Sequence, residues 1–323
     1  MPSNLLTLND LEITFPAGTG ETRAVRSATF SLAAGEMLAL VGESGSGKTV
    51  TGLAAMGLLP RPGFISSGGL CFEGRDMRKF SRRDWRALRG REIGMVFQEP
   101  MTSLDPVYTV GYQLAEALTS HGPVARAEVT ERSAALLAEV GISEPATRLE
   151  AYPHQLSGGI RQRVMIATAL ALGPKLLIAD EPTTALDVTV GAQIMALIGG
   201  LKQNRGMAVL FITHDLGLVA GHADRVAVMY AGYVVELAPA SEIFRNPLHP
   251  YTRALMRSMP SGTGKGRLTP IPGNVPRPGA LPPGCPFSDR CSQSDELCRE
   301  IHPELAFGES GRAVRCLKAD PDD

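Results

Sequence analysis

Short, continuous apolar runs recur along the chain and predict the buried strands of a parallel sheet. Three such runs are Met37–Val41, Leu176–Asp180 and Ala208–Thr213. A run of this length without alternation is typical of a strand that is covered on both faces. Residues 188–202 lie between the second and third runs and predict a crossover helix. This strand–helix–strand rhythm predicts an α/β fold.

Other segments predict elements of a different kind. Apolar and polar residues alternate over 11–15, which favours a half-buried strand that ends at Pro16. The spacing over 49–59 is compatible with a helix. Two apolar runs on either side of Ala231-Gly232 predict a β-hairpin.

The character of the chain changes twice. From about 99 to 165 leucines recur at helical spacing with charges between them, which predicts a helical insertion. After about Ser241 no long periodic element is visible, and this part holds 12 of the 24 prolines. We therefore expect one domain over 1–240 and a loop-rich extension over 241–323 that needs a staple to become ordered.

Composition narrows the classes of protein. The chain has 323 residues, a formal net charge of −1 and 44% hydrophobic residues, which is typical of a soluble globular protein. No apolar stretch approaches the ~18 residues of a membrane span, and the first residues do not resemble a signal peptide. We expect a cytosolic protein whose membrane role, if any, depends on partners. The charge balance does not favour nucleic acid as a partner.

Cysteines are concentrated near the end of the chain. Cys71 stands alone and is expected to be an ordinary packed residue, whereas the other four are Cys285, Cys291, Cys298 and Cys316. In a reducing compartment such a group indicates a metal site more than disulfides. The spacing is not the paired C-x2-C of zinc ribbons, and four thiolates suit zinc or a [4Fe–4S] cluster. Unligated thiols are the third alternative.

A glycine-rich loop between a strand and a helix predicts phosphate binding. Residues 42–49 read GESGSGKT and fit the pattern G-x-x-x-x-G-K-[ST]. Backbone N–H groups and the helix N-terminus would cradle phosphates, Lys48 would reach the β- and γ-phosphates, and the Thr49 hydroxyl would ligate Mg²⁺. The predicted nucleotide-binding residues of this loop are Gly42, Ser44, Gly45, Ser46, Gly47, Lys48, Thr49 and Val50.

An acidic pair ends the apolar strand Leu176–Asp180. Asp180 can hold Mg²⁺ near the carboxyl edge of the sheet. Glu181 follows and can polarise an attacking water as a general base. The pair therefore predicts nucleotide hydrolysis as well as binding.

The run Leu156-Ser157-Gly158-Gly159 lies between these two motifs, and the set in this order resembles the ATP-binding cassette (ABC) family. The resemblance implies a parallel-sheet P-loop core with an antiparallel β subdomain and a helical subdomain. It also implies a dimer, because Ser157, Gly158 and Gly159 would complete the ATP site of an opposite subunit. A simple helix cap by Ser157 is compatible with that role.

The same resemblance assigns further roles. Gln98 is similar to the glutamine that touches Mg²⁺ and the attacking water, and His214 to the histidine that contacts the γ-phosphate. Residues 185–187 resemble the loop at the dimer seam. Phe15 resembles the aromatic side chain that stacks on adenine, with a buried core phenylalanine as the alternative, and we expect a long loop over 18–22 beside it.

Several stretches narrow the resemblance to the ATPases of dipeptide, oligopeptide and nickel importers. They are residues 41–48, 97–104 and 246–252, together with the cysteine-rich tail. The resemblance implies an ATPase on the cytoplasmic face of the inner membrane with two permease subunits and an extracytoplasmic substrate-binding protein. It favours a heterodimer with a second ATPase over a homodimer. It also implies that the four cysteines hold iron–sulfur.

Alternatives to peptide uptake remain open at this stage. The same machinery could carry nickel, glutathione-like or opine-like solutes. An ABC ATPase that acts on nucleic acid or ribosomes is a different class, but the chain has one cassette, no heptads and no basic stripe. A silent regulatory cassette is disfavoured because Lys48, Asp180, Glu181 and His214 are all present.

Overall fold

The computed structural model describes residues 4–18, 20–98, 103–122, 124–184, 186–258, 270–276 and 280–322. Its strands are β1 Asn4–Ala17, β2 Gly20–Ala33, β3 Met37–Val41, β4 Phe64–Phe72, β5 Arg75–Asp76, β6 Ile93–Val96, β7 Leu176–Asp180, β8 Ala208–Thr213, β9 Arg225–Tyr230, β10 Tyr233–Pro239, β11 Ala306–Phe307 and β12 Ala313–Val314. Its α-helices are α1 Lys48–Ala55, α2 Arg82–Leu88, α3 Val110–Thr119, α4 Arg126–Glu139, α5 Pro145–Leu149, α6 Gly158–Ala169, α7 Val188–Arg205, α8 Leu216–Val219, α9 Ala240–Arg245, α10 Pro250–Ser258 and α11 Glu296–Glu300. Single 3₁₀ turns lie at Met77–Lys79, Pro153–Gln155 and Ser288–Arg290. None of the helices in the described residues has the length and apolar character that crossing a bilayer requires.

The chain divides into two compact units. The first comprises Met1–Ala33, Met37–Lys79 and Ile212–Asp323. Its strands follow the order β5-β4-β1-β2-β10-β9-β3, with antiparallel pairing at β1–β2, β1–β4 and β9–β10 and parallel pairing at β3–β9. Strands β3 and β9 are almost entirely buried, which places the start of the phosphate loop at the end of a core strand.

The second unit comprises Ala34–Glu36 and Phe80–Phe211. Strands β6 and β7 pair in parallel from Ile93 opposite Leu176 to Val96 opposite Ala179. Helices α3 to α7 belong to this unit, and the apolar side chains of α3 that face its core are Val110, Leu114 and Leu118. Parallel strands joined through helices place Gln98 and Glu181 after neighbouring strand ends.

The buried strands are the elements that the sequence predicts best. The structure has Met37–Val41, Leu176–Asp180 and Ala208–Thr213 with the bounds expected. Helix α1 is shorter than 49–59, and α7 extends past the predicted end. The hairpin of β9 and β10 turns at Ala231-Gly232 as expected.

The prediction for the first strand is wrong at its end. Pro16 lies inside β1, paired with Glu21 of β2, and Ala17 still pairs with Gly20. Proline is accepted there because the pairing of β1 with β4 ends at Thr14, so no hydrogen bond from the missing N–H is needed on that side. The expected long loop over 18–22 is therefore a tight connection between two strands.

The extension is better ordered than its sequence predicts. Helix α10 covers nine residues, and β12 pairs antiparallel with β10 through Val314 and Ala313. Phe287 is 2% exposed and its ring contacts those of Tyr230 and Tyr251. This segment therefore gains order from an added strand and an aromatic cluster in the first unit.

The expectation that the four cysteines hold an iron–sulfur cluster is wrong, and the described residues do not form a zinc site either. Among the described residues, no group of three or more His, Cys, Asp or Glu side chains is arranged to hold a metal ion. The four cysteines of the tail line one small apolar cavity of about 20 Å³. Burial raises the pKa of the Cys285 thiol to about 11.

Candidate nucleotide site

The phosphate loop can form only with glycine at two positions. Gly42 has φ 154°, and a Cβ there would lie 2.1 Å from the carbonyl oxygen of Met229. Gly47 has φ 103° and caps α1, where a Cβ would lie 2.7 Å from the carbonyl oxygen of Ala24. Backbone that close to neighbouring strands leaves no room for a side chain. The loop is thus fitted tightly into the end of the sheet of the first unit.

Lys48 is held inside this loop. Its side chain is buried, and its Nζ donates to the carbonyl oxygens of Gly42 at 2.8 Å and Glu43 at 3.0 Å. Ser46 is also buried, and its carbonyl oxygen accepts from the Gly232 N–H at 3.0 Å. The amine therefore already lies within the curve of the loop, where an incoming phosphate would meet it.

The remaining predicted residues of the loop lie around this amine. Ser44 and Gly45 are exposed at the tip, and Thr49 and Val50 are half-buried in the first turn of α1. The turn joins a glycine-rich curve to a helix N-terminus, which is the arrangement that binds phosphate. Its hydroxyl makes Thr49 a hard oxygen donor that suits Mg²⁺.

Glu43 is a feature of this loop that the sequence analysis does not single out. Its backbone N–H donates to the hydroxyl of Tyr251 at 2.9 Å, and its carboxylate accepts two hydrogen bonds from Arg290 at 2.8 and 3.0 Å. Tyr251 lies in the stretch 246–252 that carries the resemblance to importers. The sequence of that stretch indicates that Tyr251 matters, but it does not identify Glu43 as the residue that Tyr251 contacts.

Glu181 is held in an unusual backbone conformation. Its φ is 45°, a region that costs non-glycine residues on the order of 1 kcal/mol and that is enriched at functional sites. Its Oε2 accepts from Gln98 Nε2 at 3.1 Å and from the hydroxyl of Thr184 at 2.8 Å. Asp180 precedes it as the buried last residue of β7. The predicted residues Gln98, Asp180 and Glu181 thus lie together in the second unit. Thr184 is a contact of Glu181 that the sequence did not predict.

The segment Ser157-Gly158-Gly159 begins helix α6. The Ser157 hydroxyl caps the helix by accepting from the N–H of Ile160 at 3.4 Å, and the residue is exposed. Asp187 caps α7 in the same way, with the N–H of Val190 as donor at 2.9 Å. Ala185 of the predicted seam loop lies outside the described residues. The capping role is therefore present together with an exposed helix N-terminus.

The other two predicted site residues are His214 and Phe15. His214 is exposed directly after β8. Phe15 is half-buried, and its ring lies against Gly63, where a Cβ would be 2.4 Å from the ring. Both belong to the first unit, as does the phosphate loop. Their roles at the γ-phosphate and the adenine stay predictions.

Known proteins resemble this chain over nearly its whole length. Residues 25–184 match the family described as ABC transporter, and residues 235–298 match the oligopeptide/dipeptide transporter C-terminal region. A probable peptide ABC transporter ATP-binding protein of Sinorhizobium fredii is 50% identical over 98% of this chain and 95% of its own. The dipeptide transport ATP-binding protein DppD of Escherichia coli is 48% identical over 97% of this chain and 96% of its own.

Solved structures agree on the fold. A dimeric ATP-binding cassette in a post-hydrolysis state, bound to ADP and Pi, has a TM-score of 0.65 at 27% identity and covers 73% of this chain and 98% of its own. A cassette of an ABC transporter complex from Clostridium perfringens has a TM-score of 0.66 at 28% identity and covers 76% and 92%. The predicted fold class is confirmed. The chain belongs to the ATP-binding subunits of ABC transporters and is an ABC-type ATPase that uses ATP with Mg²⁺.

Proposed function

We propose that this chain hydrolyses ATP to drive the uptake of dipeptides and oligopeptides through a partner permease. The Gln98–Glu181 contact at the end of β7 carries the hydrolytic part, because it presents a carboxylate and an amide together at a strained turn. The peptide cargo is supported by the match of the C-terminal region and by the names of the relatives.

The chemistry follows from the side chains. The phosphate loop and Lys48 bind the β- and γ-phosphates, and Glu181 accepts the proton of a water that attacks the γ-phosphorus. The bond between that phosphorus and the bridging oxygen breaks, and ADP and phosphate leave. Gln98 orients Glu181 and the water. Hydroxyl, amide and carboxylate oxygens of Thr49, Gln98 and Asp180 suit Mg²⁺, which neutralises phosphate charge when bound.

The site is completed by another subunit in this proposal. Ser157 is exposed and the two glycines after it are half-buried at a helix N-terminus, which favours a γ-phosphate held by another chain. A second, homologous ATPase is the partner that we favour over a second copy of this chain. His214 contacts the γ-phosphate and Phe15 stacks on adenine in this arrangement.

The partner in the membrane is a pair of permease subunits. Val107, Tyr108 and Tyr112 are 68%, 43% and 53% exposed, and the two tyrosine rings stack at 4.4 Å. An exposed apolar group soon after Gln98 suits a docking helix of a permease. The chain would then lie on the cytoplasmic face of the inner membrane, with an extracytoplasmic binding protein that delivers the peptide.

The proposed division of the chain is a cassette at 1–240, with its helical part at 99–165, and an extension at 241–323.

The substitution Glu181→Gln tests the hydrolytic role. We expect ATP hydrolysis to fall at least ~100-fold, as for loss of a general base, while ATP affinity stays unchanged. Peptide uptake by vesicles that contain the reconstituted transporter should be lost in parallel. Glu144→Gln is the matched control, because Glu144 is an exposed glutamate of the same unit with φ 53°. Wild-type activity of the Glu181 variant would contradict its role as base.

A further inference from the structure

The phosphate loop is held from outside by the C-terminal part of the chain. Two groups reach Glu43, the second residue of the loop: the Tyr251 hydroxyl accepts from its N–H, and the Arg290 guanidinium binds its carboxylate with two parallel hydrogen bonds. A bidentate pair of this kind fixes orientation as well as distance. Both groups lie in the first unit, and Arg290 is 247 residues from Glu43 along the chain.

Arg290 is itself fixed in place. Its side chain is 5% exposed against 29% for Glu43, and its Nε donates to the carbonyl oxygen of Pro272 at 2.8 Å. The guanidinium lies 5.7 Å from the centroid of the Tyr230 ring and 5.9 Å from that of Phe287. A charge held so firmly in a poorly solvated place attracts Glu43 more strongly than a surface pair would.

Tyr251 is fixed by a second chain of contacts. Its N–H donates to Nδ1 of His249 at 3.0 Å, and the N–H groups of Leu248 and His249 donate to the buried carboxylate of Glu236 at 2.7 and 2.9 Å. The Tyr251 ring packs against Tyr230 with centroids 4.6 Å apart. The hydroxyl is therefore delivered to Glu43 from a rigid base on β10.

Glu43 in turn helps to hold the Lys48 amine, together with the carbonyl oxygen of Gly42. The carbonyl oxygen of Glu43 accepts from Lys48 Nζ at 3.0 Å and from the Ser46 N–H at 3.2 Å. A displacement of Glu43 would carry this carbonyl with it and would move the amine away from the phosphates. The contacts of Arg290 and Tyr251 thus reach the phosphate-binding atoms through a single residue.

We propose that Arg290 and Tyr251 are positioning residues for ATP, and that the C-terminal extension sets the nucleotide affinity of the phosphate loop by holding Glu43. The proposal rests on the function assigned above to the phosphate loop. It gives the extension a direct part in the ATPase cycle of its own chain.

A matched pair of variants separates positioning from stability. Arg312 lies in the same extension, its side chain is 6% exposed, and it pairs with Glu242 at 3.5 Å. Arg312→Ala and Arg290→Ala should therefore both lower the melting temperature. Only Arg290→Ala should weaken binding of Mg-ATP to the full chain, by about tenfold, when both are measured well below their melting temperatures. Arg290→Lys should recover part of the affinity, because an ammonium can reach one carboxylate oxygen.

The outcomes are distinct. Unchanged affinity in Arg290→Ala, or an equal loss in Arg312→Ala, would overturn the proposal. If Arg290→Ala does not fold, Tyr251→Phe serves instead, because it removes one hydroxyl and keeps the packed ring, and a two- to fivefold loss of affinity is expected while unchanged affinity would overturn the proposal. Failure of the wild-type chain to bind Mg-ATP would overturn the function assigned to the phosphate loop.

Discussion

The phosphate loop and the segment Ser157-Gly158-Gly159 both end in a helix N-terminus, yet their surroundings differ. The loop has buried side chains at Ser46 and Lys48, and the extension contacts it through Glu43. Ser157 is exposed, and its hydroxyl caps its own helix. One helix N-terminus is thus held by contacts within its own chain, and the other has its capping residue at the surface.

This difference separates two tasks. A loop that is held by hydrogen bonds to other parts of its chain is rigid before ATP arrives. Binding then loses little conformational entropy in ordering the loop. An exposed helix start can receive a phosphate that another surface brings to it. In the function proposed above, affinity for ATP is therefore a property of one chain, whereas hydrolysis depends on an assembly.

The largest effect is expected for Lys48→Ala. This change removes the buried ammonium of the loop, which reaches the β- and γ-phosphates in the proposed function, so affinity for Mg-ATP should fall about 100-fold or more. Isothermal titration of the full chain checks it. Lys202→Ala, on helix α7 of the other unit, is the control and should leave affinity unchanged. Equal losses of affinity in both variants would show that the ammonium in the phosphate loop has no specific role in ATP binding.

An effect that is no larger but more selective is expected for Ser157→Arg. A long charged side chain at the exposed helix start should block the approach of a second subunit, so hydrolysis should fall about 100-fold while one chain still binds ATP with unchanged affinity. The measurement is ATPase turnover of the assembled transporter beside ATP titration of the single chain. A parallel loss of affinity would show that this segment belongs to the ATP site of its own chain.

The smallest effect is a pH dependence of the free energy of unfolding. It arises at His249, which accepts the N–H of Tyr251, the residue that contacts the phosphate loop. Burial lowers the pKa of His249 to about 3, whereas an unfolded histidine titrates near ~6.5. The unfolded chain therefore binds the extra proton first, and the stability that neutral His249 supplies is lost as the pH falls below ~6.5. Between pH 7.5 and 5.5 the loss should be about 1.4 kcal/mol in the free energy of unfolding.

His249→Gln provides the comparison for this pH effect. Glutamine can still accept the N–H of Tyr251 but does not titrate, so its curve of unfolding free energy against pH should be flatter by that amount. Chemical denaturation at several pH values measures the difference, and the other titrating groups cancel because both proteins contain them. Parallel curves would mean that His249 accepts a proton in the folded chain.

The part of the fold that the sequence predicts is the part that depends on local chemistry. Met37–Val41 and Leu176–Asp180 are short and continuously apolar, and such runs have few alternatives to a buried strand. The phosphate loop follows equally from its glycines, which three positive φ angles require. The contact between Gln98 and Glu181 follows from two strands that pair in parallel.

The rest depends on contacts between distant residues. Pro16 reads as a strand end, but only the pairing partners on each side decide whether a missing N–H matters. Four cysteines in one tail predict a metal cluster, whereas their spacing along the chain does not determine how the folded tail arranges the thiols. Arg290 beside Cys291 gave no sign of its partner, because Glu43 belongs to the first fifth of the chain.

The Arg290–Glu43 pair also bears on the order of events during synthesis. A ribosome that adds about 5–20 residues per second needs roughly 12–50 s to travel the 247 residues between the two. Throughout that interval the nascent phosphate loop lacks its arginine clamp. Tight capture of ATP then becomes available only to a polypeptide whose tail has been translated, so a truncated product would compete poorly for nucleotide and for a place in the transporter.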